Sequence, residues 1–185
     1  MTIAVSGTSR LHGSTVRLTR DDITLLDVDA FVFYASHDLG LGAGYGTAIS
    51  VRGGPSIQRE LDEVGSLETC EVVVTAAGKL QADWILHAVG PRFQEPDIEP
   101  KLRRTMAAVL EQAEARGVRR IAFPPMGAGY YGIPPDLCAR VMFESLEEHL
   151  RGGSGISEVI VSVLDSVQQR AFESALDTLL NGEAS

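Results

Sequence analysis

A run of alternating glycines, Gly40, Gly42, Gly44 and Gly46, is the first segment of the chain whose residue types and spacing could do chemistry. Glycine has no Cβ, so a ligand can approach the backbone closely and successive N–H groups can turn towards one anion. The same pattern is also typical of a flexible surface turn. This first glycine loop by itself does not decide between a phosphate site and such a turn.

A second glycine loop, Gly127-Ala-Gly129-Tyr-Tyr-Gly132, lies between a predicted strand and a predicted helix, which is the setting for phosphate binding at a helix N-terminus. Its spacing also matches a dinucleotide fingerprint, and Asp165 ends the next predicted strand. Only 53 residues follow Gly132, which is too few for the paired halves of a dinucleotide fold. Two anion loops therefore predict a ligand that carries a diphosphate.

All four tyrosines of the chain, Tyr34, Tyr45, Tyr130 and Tyr131, lie in or beside these loops. A phenol offers a flat apolar face and a polar tip, which suits sugars and bases. We expect at least one tyrosine to contact the ligand. The alternative is that the rings only fill the edge of the sheet.

Other polar residues have simpler interpretations. Asp22 could accept a hydrogen bond from an adenine amino group, but the local sequence favours a turn or helix N-cap role. His87 lies between apolar stretches, which predicts a core histidine with satisfied hydrogen bonds rather than a base. Cys70 and Cys138 have neither zinc-ligand spacing nor a partner at the spacing of a nucleophile motif. We therefore predict no metal and no cofactor.

Composition limits the classes of function. The 185 residues, 44% of them hydrophobic, predict a single domain over residues 1–185 with a core at about 3–180. The formal net charge of -9, with no Lys/Arg tract longer than two residues, disfavours nucleic acid as a partner. No apolar stretch reaches the roughly 20 residues of a membrane helix, and no signal peptide is evident, so we expect a cytoplasmic protein. An acidic protein must hold a small anion with backbone N–H groups rather than lysines.

Alternating strands and helices predict a mixed, largely parallel sheet covered on both faces, with both glycine loops opening at the carboxyl ends of strands. Residues 102, 106, 109, 110 and 113 form an apolar helical stripe that ends at Gly117. Positions Val167, Ala171, Phe172, Ala175 and Leu179 are expected to face inward on the last helix. Strands are predicted at residues 3–6, 14–19, 30–35, 72–75, 84–89, 119–123 and 158–164, and helices at 45–52, 55–64, 97–116, 134–150 and 166–180.

Taken together, four motifs resemble the macrodomain family, whose members bind ADP-ribose. They are Asp22-Ile-Thr24, the segment from Val28 to Val32 with Gly42-Ala-Gly44, His87-Ala-Val-Gly-Pro91, and Ile121 to Pro124 with Gly127-Ala-Gly-Tyr-Tyr-Gly132. The resemblance covers residues 3–180 and implies a three-layer α/β/α fold. It implies ligand contacts at Asp22, Ile23, Ser36, Gly42, Ala43, Gly44, Tyr45, Gly127, Ala128, Gly129, Tyr130, Tyr131 and Leu164.

The chain departs from the hydrolytic members of that family at the positions that matter for catalysis. Phe33-Tyr-Ala-Ser36 stands where those members resemble Asn-Ala-Ala-Asn, so both asparagines are absent. Gly46 stands where many have an aspartate, and Leu164 where an aromatic residue often flanks adenine. These departures favour binding without catalysis.

Three functions follow, and the first is favoured. The first is a module that binds ADP-ribose, free or attached to a protein. The second is a hydrolase of ADP-ribosyl-protein or O-acetyl-ADP-ribose, with His37 or Asp38 beside the first loop as the general base. Neighbours in an extended segment point to opposite sides, so the two cannot both face the ligand. The third is a receptor for another nucleotide.

Overall fold

The computed structural model describes residues 7–183, and its centre is a seven-stranded sheet. The strand order across the sheet is β1-β2-β7-β6-β3-β5-β4. The two edge strands, β1 and β4, run antiparallel to their neighbours, and the inner strands pair in parallel. The strands are β1 (Thr8–Leu11), β2 (Ser14–Thr19), β3 (Ala30–Tyr34), β4 (Val72–Ala76), β5 (Trp84–Ala88), β6 (Arg120–Phe123) and β7 (Glu158–Ser162). The predicted mixed, largely parallel sheet is confirmed.

Helices cover both faces of the sheet, which makes the fold a three-layer α/β/α sandwich, as the resemblance implied. The helices are α1 (Tyr45–Gly53), α2 (Ser56–Val64), α3 (Ile98–Ala115), α4 (Pro135–Arg151) and α5 (Ser166–Glu183), with one 3-10 turn at Ile23–Leu25. Helices α3, α4 and α5 pack on one face, and α1 and α2 on the other. None of the helices within residues 7–183 is long and apolar enough to cross a membrane.

Alternating side chains along the inner strands explain the two cores. In β3, Val32 and Tyr34 face the larger core under α3, α4 and α5, whereas Phe31 faces the smaller core under α1 and α2. Successive residues of a strand point to opposite faces, so an inner strand buried on both sides must be apolar throughout. Burial of the inner strands on both faces explains the near-continuous apolar runs in the sequence.

Most predicted elements agree with the structure to within a residue or two. The predicted turn at His12 and Gly13 is present, with φ of 47° and 90°, but it joins β2 to β1. The predicted strand at residues 3–6 lies outside the described residues. The five stripe residues of α3 are all buried, and Gly117 follows the helix with a left-handed φ of 65°.

The inward position of Val167 was wrong, because this side chain is 55% exposed in the first turn of α5. Gln168 turns inward instead and is 4% exposed. Its side-chain oxygen accepts a hydrogen bond from Leu164 N at 2.8 Å, while Asp165 Oδ1 accepts from Gln168 N at 2.9 Å. This reciprocal capping arrangement sets the orientation of the first turn.

Candidate functional site

A cavity of about 540 Å³ opens at the carboxyl ends of the central strands, between the two glycine loops. The first loop contributes Gly40, Gly42 and Gly44, and the second contributes Gly127 and Gly129. The remaining lining residues are Ile23, Phe31, Val32, Phe33, Tyr34, Ser36, Asp38, Ala43, Tyr45, Pro124, Pro125, Tyr130, Tyr131, Leu164 and Gln168. This position is the one where open α/β sheets bind ligands.

The lining contains no lysine, arginine or histidine, and its single charged residue is Asp38. The donors that remain are the hydroxyls of serine and tyrosine, the amide of Gln168 and the backbone N–H groups of the two loops. The N–H groups of Gly42, Ala43 and Gly44 donate to no acceptor within residues 7–183, and neither do those of Gly129, Tyr130 and Tyr131. Six amide donors on two facing loops are therefore available to an anionic ligand.

The first glycine loop is held in shape by short-range hydrogen bonds. Gly46 N donates to Ala43 O at 3.0 Å, and Leu41 N donates to the Gln58 side chain at 3.0 Å. Gly44 caps α1 with φ 55° and ψ -134°, a conformation that favours glycine. The N-terminus of α1 thus faces the cavity with its partial positive charge.

Gly46, where the resemblance places an aspartate, packs tightly against the preceding backbone. A Cβ built at Gly46 lies 3.0 Å from the Leu41 backbone. Gly46 is buried and does not line the cavity. A side chain here would therefore require the Leu41 backbone to shift by a few tenths of an ångström.

The second glycine loop is also closed on itself, by Ile133 N donating to Gly127 O at 2.9 Å and Gly132 N to Gly129 O at 3.1 Å. Gly127 has φ 79°, and a Cβ there would lie 2.5 Å from Ile133 Cδ1. Gly129 is different, because a Cβ there meets nothing within 4 Å. Gly127 is required by the fold, whereas Gly129 lines the cavity with free space in front of it.

Ser36, Asp38 and Tyr131 form a polar group at one end of the cavity. Ser36 Oγ donates to Asp38 Oδ1 at 2.5 Å, and Gly40 N donates to the same oxygen at 3.2 Å. The hydrogen bond from Ser36, the N–H of Gly40 and the charge of Arg92 lower the pKa of Asp38. Burial raises the pKa of Tyr131, although Arg92 and a hydrogen bond with Ser36 act in the opposite direction. At neutral pH this end presents a carboxylate and a neutral phenol.

His37 does not join this group, although it adjoins Asp38 in sequence. Its Nδ1 is 2.8 Å from Leu67 O, and Leu67 N donates to His37 O at 3.0 Å. The ring is therefore held against the loop before β4, away from the cavity. The expected opposition of the two side chains is observed, and it is Asp38 that faces the cavity.

The four tyrosines have different roles in the structure. Tyr34 is 8% exposed and its hydroxyl donates to Pro91 O at 2.5 Å; burial raises its pKa. A Cβ at Gly90 would lie 2.2 Å from the Tyr34 hydroxyl, so this ring packs directly against Gly90, and it also lines the cavity. Tyr45 is half-buried, and Tyr130 is 95% exposed on the second loop.

Asp22 lies beside the opposite end of the cavity but not in its lining. Its Oδ1 accepts from Thr24 N at 2.9 Å and its Oδ2 from Arg52 Nη1 at 2.6 Å. Partial burial raises the pKa of Asp22, but the hydrogen bonds from Arg52 and Thr24 outweigh burial, so the net shift is downward. The N-cap role that the sequence favoured is present.

Ala128 and His87 each differ in one respect from what the sequence predicts. Ala128, a predicted ligand contact, is not among the residues that line the cavity, and its N–H donates to Pro125 O at 3.2 Å inside the loop. His87 is fully buried as predicted, but only Nε2 has a partner, Thr75 Oγ1 at 2.9 Å. Its Nδ1 has none among the described residues, and burial lowers the pKa of His87 to about 3.

Sequence reasoning missed several lining residues. Gln168 had a detectable signal, because Asp165-x-x-Gln168 matches a helix capping box. Pro124 and Pro125 belong to the predicted second loop but were not named as contacts. Gly40 belongs to the predicted first glycine loop but was likewise not named as a contact. Phe31 and Val32 gave no separate signal, because a strand side chain at the cavity floor resembles any core residue.

A second groove, of about 590 Å³, lies between α4 and α5. Its charged side chains pair with each other, as in the contact of Arg140 Nη1 with Glu144 Oε2 at 3.4 Å. Its walls are the sides of helices, whose interior N–H groups are already used. This groove therefore lacks the converging backbone donors of the first cavity. Within residues 7–183, no group of three or more His, Cys, Asp or Glu side chains could hold a metal ion.

Comparison with solved structures supports the fold assignment. The Oceanobacillus iheyensis macrodomain with ADP superimposes with a TM-score of 0.89 at 24% identity, covering 95% of this chain and 97% of that one. The Trypanosoma brucei macrodomain in complex with ADP-ribose has a TM-score of 0.81 at 26% identity, covering 87% of this chain and 68% of that one.

Sequence comparisons give the family directly. A protein of Sulfolobus acidocaldarius is 35% identical over 176 residues, covering 91% of this chain and 94% of its own length. A macro domain-containing protein of Caldanaerobacter subterraneus subsp. tengcongensis is 31% identical over 170 residues, covering 89% of this chain and 97% of its own. The Macro domain family model matches residues 34–142. The chain belongs to the macro domain family.

Proposed function

We propose that this chain binds ADP-ribose, or a ligand that contains ADP-ribose, in the cavity between its two glycine loops. The observation that carries the proposal is the set of six unused backbone N–H groups on the facing loops. An anion held in this way needs no basic side chain, which agrees with a lining that has none. The complex of the T. brucei macrodomain with ADP-ribose supports the choice of ligand.

The two ends of the cavity suggest the direction of the ligand. We place adenine at the end formed by Ile23, Tyr45 and Leu164, near Asp22. We place the terminal ribose at the other end, against Ser36 and Tyr131. The diphosphate then lies between Gly42-Ala-Gly44 and the segment from Gly127 to Gly129.

We also propose that the chain binds without significant hydrolysis of ADP-ribosyl-protein or O-acetyl-ADP-ribose. Catalysis needs a water held beside the terminal ribose and a group that orients or activates it. Phe33 and Gly46 occupy two positions from which hydrolytic relatives are expected to supply such groups, and neither can accept a proton. The absence of a general base typically costs about 10²–10⁴-fold in rate.

A second candidate function, hydrolysis through Asp38, is favoured by one observation. Asp38 lines the cavity beside Ser36, and its contacts with Ser36 Oγ and Gly40 N are made through Oδ1 rather than Oδ2. The Oδ2 oxygen could receive a proton from a water molecule. The lowered pKa of Asp38 makes it a weak base, which argues against efficient turnover.

Turnover assays on ADP-ribosyl-protein and O-acetyl-ADP-ribose separate the two functions. We expect the parent, Asp38→Ala and His37→Ala all to show negligible turnover. His37→Ala is the matched control, because His37 is the neighbouring ionisable residue and is turned away from the cavity. Turnover at ordinary enzymatic rates that is lost in Asp38→Ala, with ADP-ribose affinity retained, would replace binding by hydrolysis.

A receptor for another nucleotide is tested by thermal shift. A ligand that binds only the folded state raises the apparent stability by an amount that grows with the logarithm of its concentration divided by its Kd. We expect ADP-ribose to rank above ADP, AMP and dinucleotides at equal concentration. A different nucleotide at the top of this ranking would identify a different ligand for the same cavity.

A further inference from the structure

Three exposed side chains, Arg92, Phe93 and Tyr130, border the ribose end of the cavity, and we call them the rim. Tyr130 is 95% exposed, Phe93 is 51% exposed and Arg92 is exposed. The half-buried ring of Tyr131 joins them to the cavity. Its centroid lies 5.4 Å from that of Tyr130 and 5.5 Å from Arg92 Cζ.

The two loops that carry the rim are in direct contact. Phe93 N donates to Tyr131 O at 2.9 Å, which ties the loop after β5 to the second glycine loop. A Cβ at Gly132 would lie 3.3 Å from Phe93 Cβ, so the two loops also pack closely. The Arg92 guanidinium stacks on Tyr131, and such stacking orients a planar cation without neutralising its charge.

The charge of Arg92 is not compensated by an ion pair. Arg92 forms none with any residue the structure describes, although the chain carries 25 acidic residues. Arg52, which lies outside the cavity lining beside its other end, is by contrast paired with Asp22 at 2.6 Å. Asp38, the acidic residue at the ribose end, is bonded by Ser36 and Gly40; the charge of Arg92 lowers its pKa, but the two side chains form no ion pair.

Glu95, the acidic residue on the same loop as Arg92, already has hydrogen-bond partners. Glu95 accepts from Arg92 N at 3.2 Å through Oε1, and its Oε2 is 3.4 Å from Lys101 Nζ. The guanidinium of Arg92 therefore has its outward side open to an external anion. Flat aromatic surface beside an unpaired arginine is typical of a protein-binding surface.

We propose that the rim binds the polypeptide segment to which ADP-ribose is attached, and that Arg92 selects segments with a carboxylate next to the modified residue. The inference rests on the proposed function, because it places the attachment point at the ribose end. The rim is continuous with the cavity through Tyr130 and Tyr131, so a chain leaving the ribose crosses it. Charge complementarity to Arg92 then favours an acidic segment.

The experiment uses free ADP-ribose and three short synthetic peptides, each ADP-ribosylated on one serine. The residues beside that serine are glutamates, glutamines or lysines. For the parent, we expect the glutamate peptide to bind about threefold to fivefold more tightly than the glutamine peptide, the scale of an exposed ion pair. The lysine peptide should bind more weakly than either, and the differences should shrink as salt rises.

Charge reversal makes the test specific. Arg92→Gln should remove the preference for glutamate, and Arg92→Glu should reverse it in favour of lysine, with free ADP-ribose affinity unchanged. Arg116→Gln is the matched control, because Arg116 is also exposed and stacks 5.7 Å from the ring of Trp84, at the amino end of β5 and away from the cavity. Tyr130→Ala should weaken all three peptides relative to free ADP-ribose.

The outcomes separate the two proposals. If the parent binds free ADP-ribose but holds the three peptides equally, the inference about the rim is overturned and the proposed function stands. A preference for glutamate that persists in Arg92→Glu also overturns it. If neither free ADP-ribose nor any peptide binds, both proposals fail.

Discussion

Gly129→Glu tests where the diphosphate binds. Gly129 lines the cavity, its N–H is unused, and a Cβ there meets nothing within 4 Å. Its φ is not in the left-handed region, so a side chain adds no backbone strain. The substituted protein should therefore fold normally, with a carboxylate projecting into the proposed phosphate site.

The expected loss of affinity is large. Two unit charges about 4 Å apart in an effective dielectric of about 20 repel each other by about 4 kcal/mol. A single such repulsion between the new carboxylate and one phosphate would raise Kd about a thousandfold. The side chain also occupies volume that the ligand needs. We expect ADP-ribose binding to become undetectable.

The assay is calorimetric titration with ADP-ribose, alongside thermal unfolding to confirm that the variant is folded. Gly182→Glu is the matched control, because Gly182 also has free space around its Cβ position and lies on α5, outside the cavity lining. It adds the same charge and should leave affinity unchanged. A folded Gly129→Glu that binds like the parent would show that the diphosphate does not lie on the second loop.

Two further predictions concern Asp22 and His87. Asp22→Ala should lower the free energy of unfolding by about 1 kcal/mol through loss of the N-cap. It should also weaken the binding of adenine-containing ligands by about 1–3 kcal/mol, whereas binding of a ribose diphosphate without the base should be nearly unaffected. Equal losses of affinity for both ligands would leave Asp22 only a structural role. The pKa of His87 is lowered to about 3 in the folded protein. As the pH falls below 6.5, the unfolded chain therefore binds a proton on His87 that the folded protein does not, and the free energy of unfolding decreases with a slope approaching about 1.4 kcal/mol per pH unit. Denaturant unfolding at pH 6.5 and 5.5 should show a smaller decrease for His87→Gln than for the parent, and identical decreases would contradict this explanation.

Much of the fold could be predicted because its signals are local. The apolar stripe of α3 and the glycine after it follow from helical period and capping alone. Strand β1 was missed because Thr8–Leu11 has only one buried side chain and depends on pairing with β2. The inward orientation predicted for Val167 was wrong for a related reason, since the inward orientation of Gln168 depends on a hydrogen bond from Leu164 N.

The site was predictable to the extent that it consists of backbone. Glycine loops after strands indicate an anion site without knowledge of distant contacts. The ion pair of Asp22 with Arg52 spans 30 residues and has no signature in the sequence. The choice between His37 and Asp38 likewise required the contact of His37 with Leu67, which only the folded chain provides.

The most direct test of the central claim is calorimetric titration of the parent protein with ADP-ribose and with AMP under identical conditions. The two facing loops predict saturable binding of one ADP-ribose per chain. AMP should bind at least about tenfold more weakly, because it loses charge-assisted hydrogen bonds that contribute about 1.5–3 kcal/mol each. Equal affinity for the two ligands, or no binding of ADP-ribose, would contradict the proposal that these loops hold a diphosphate.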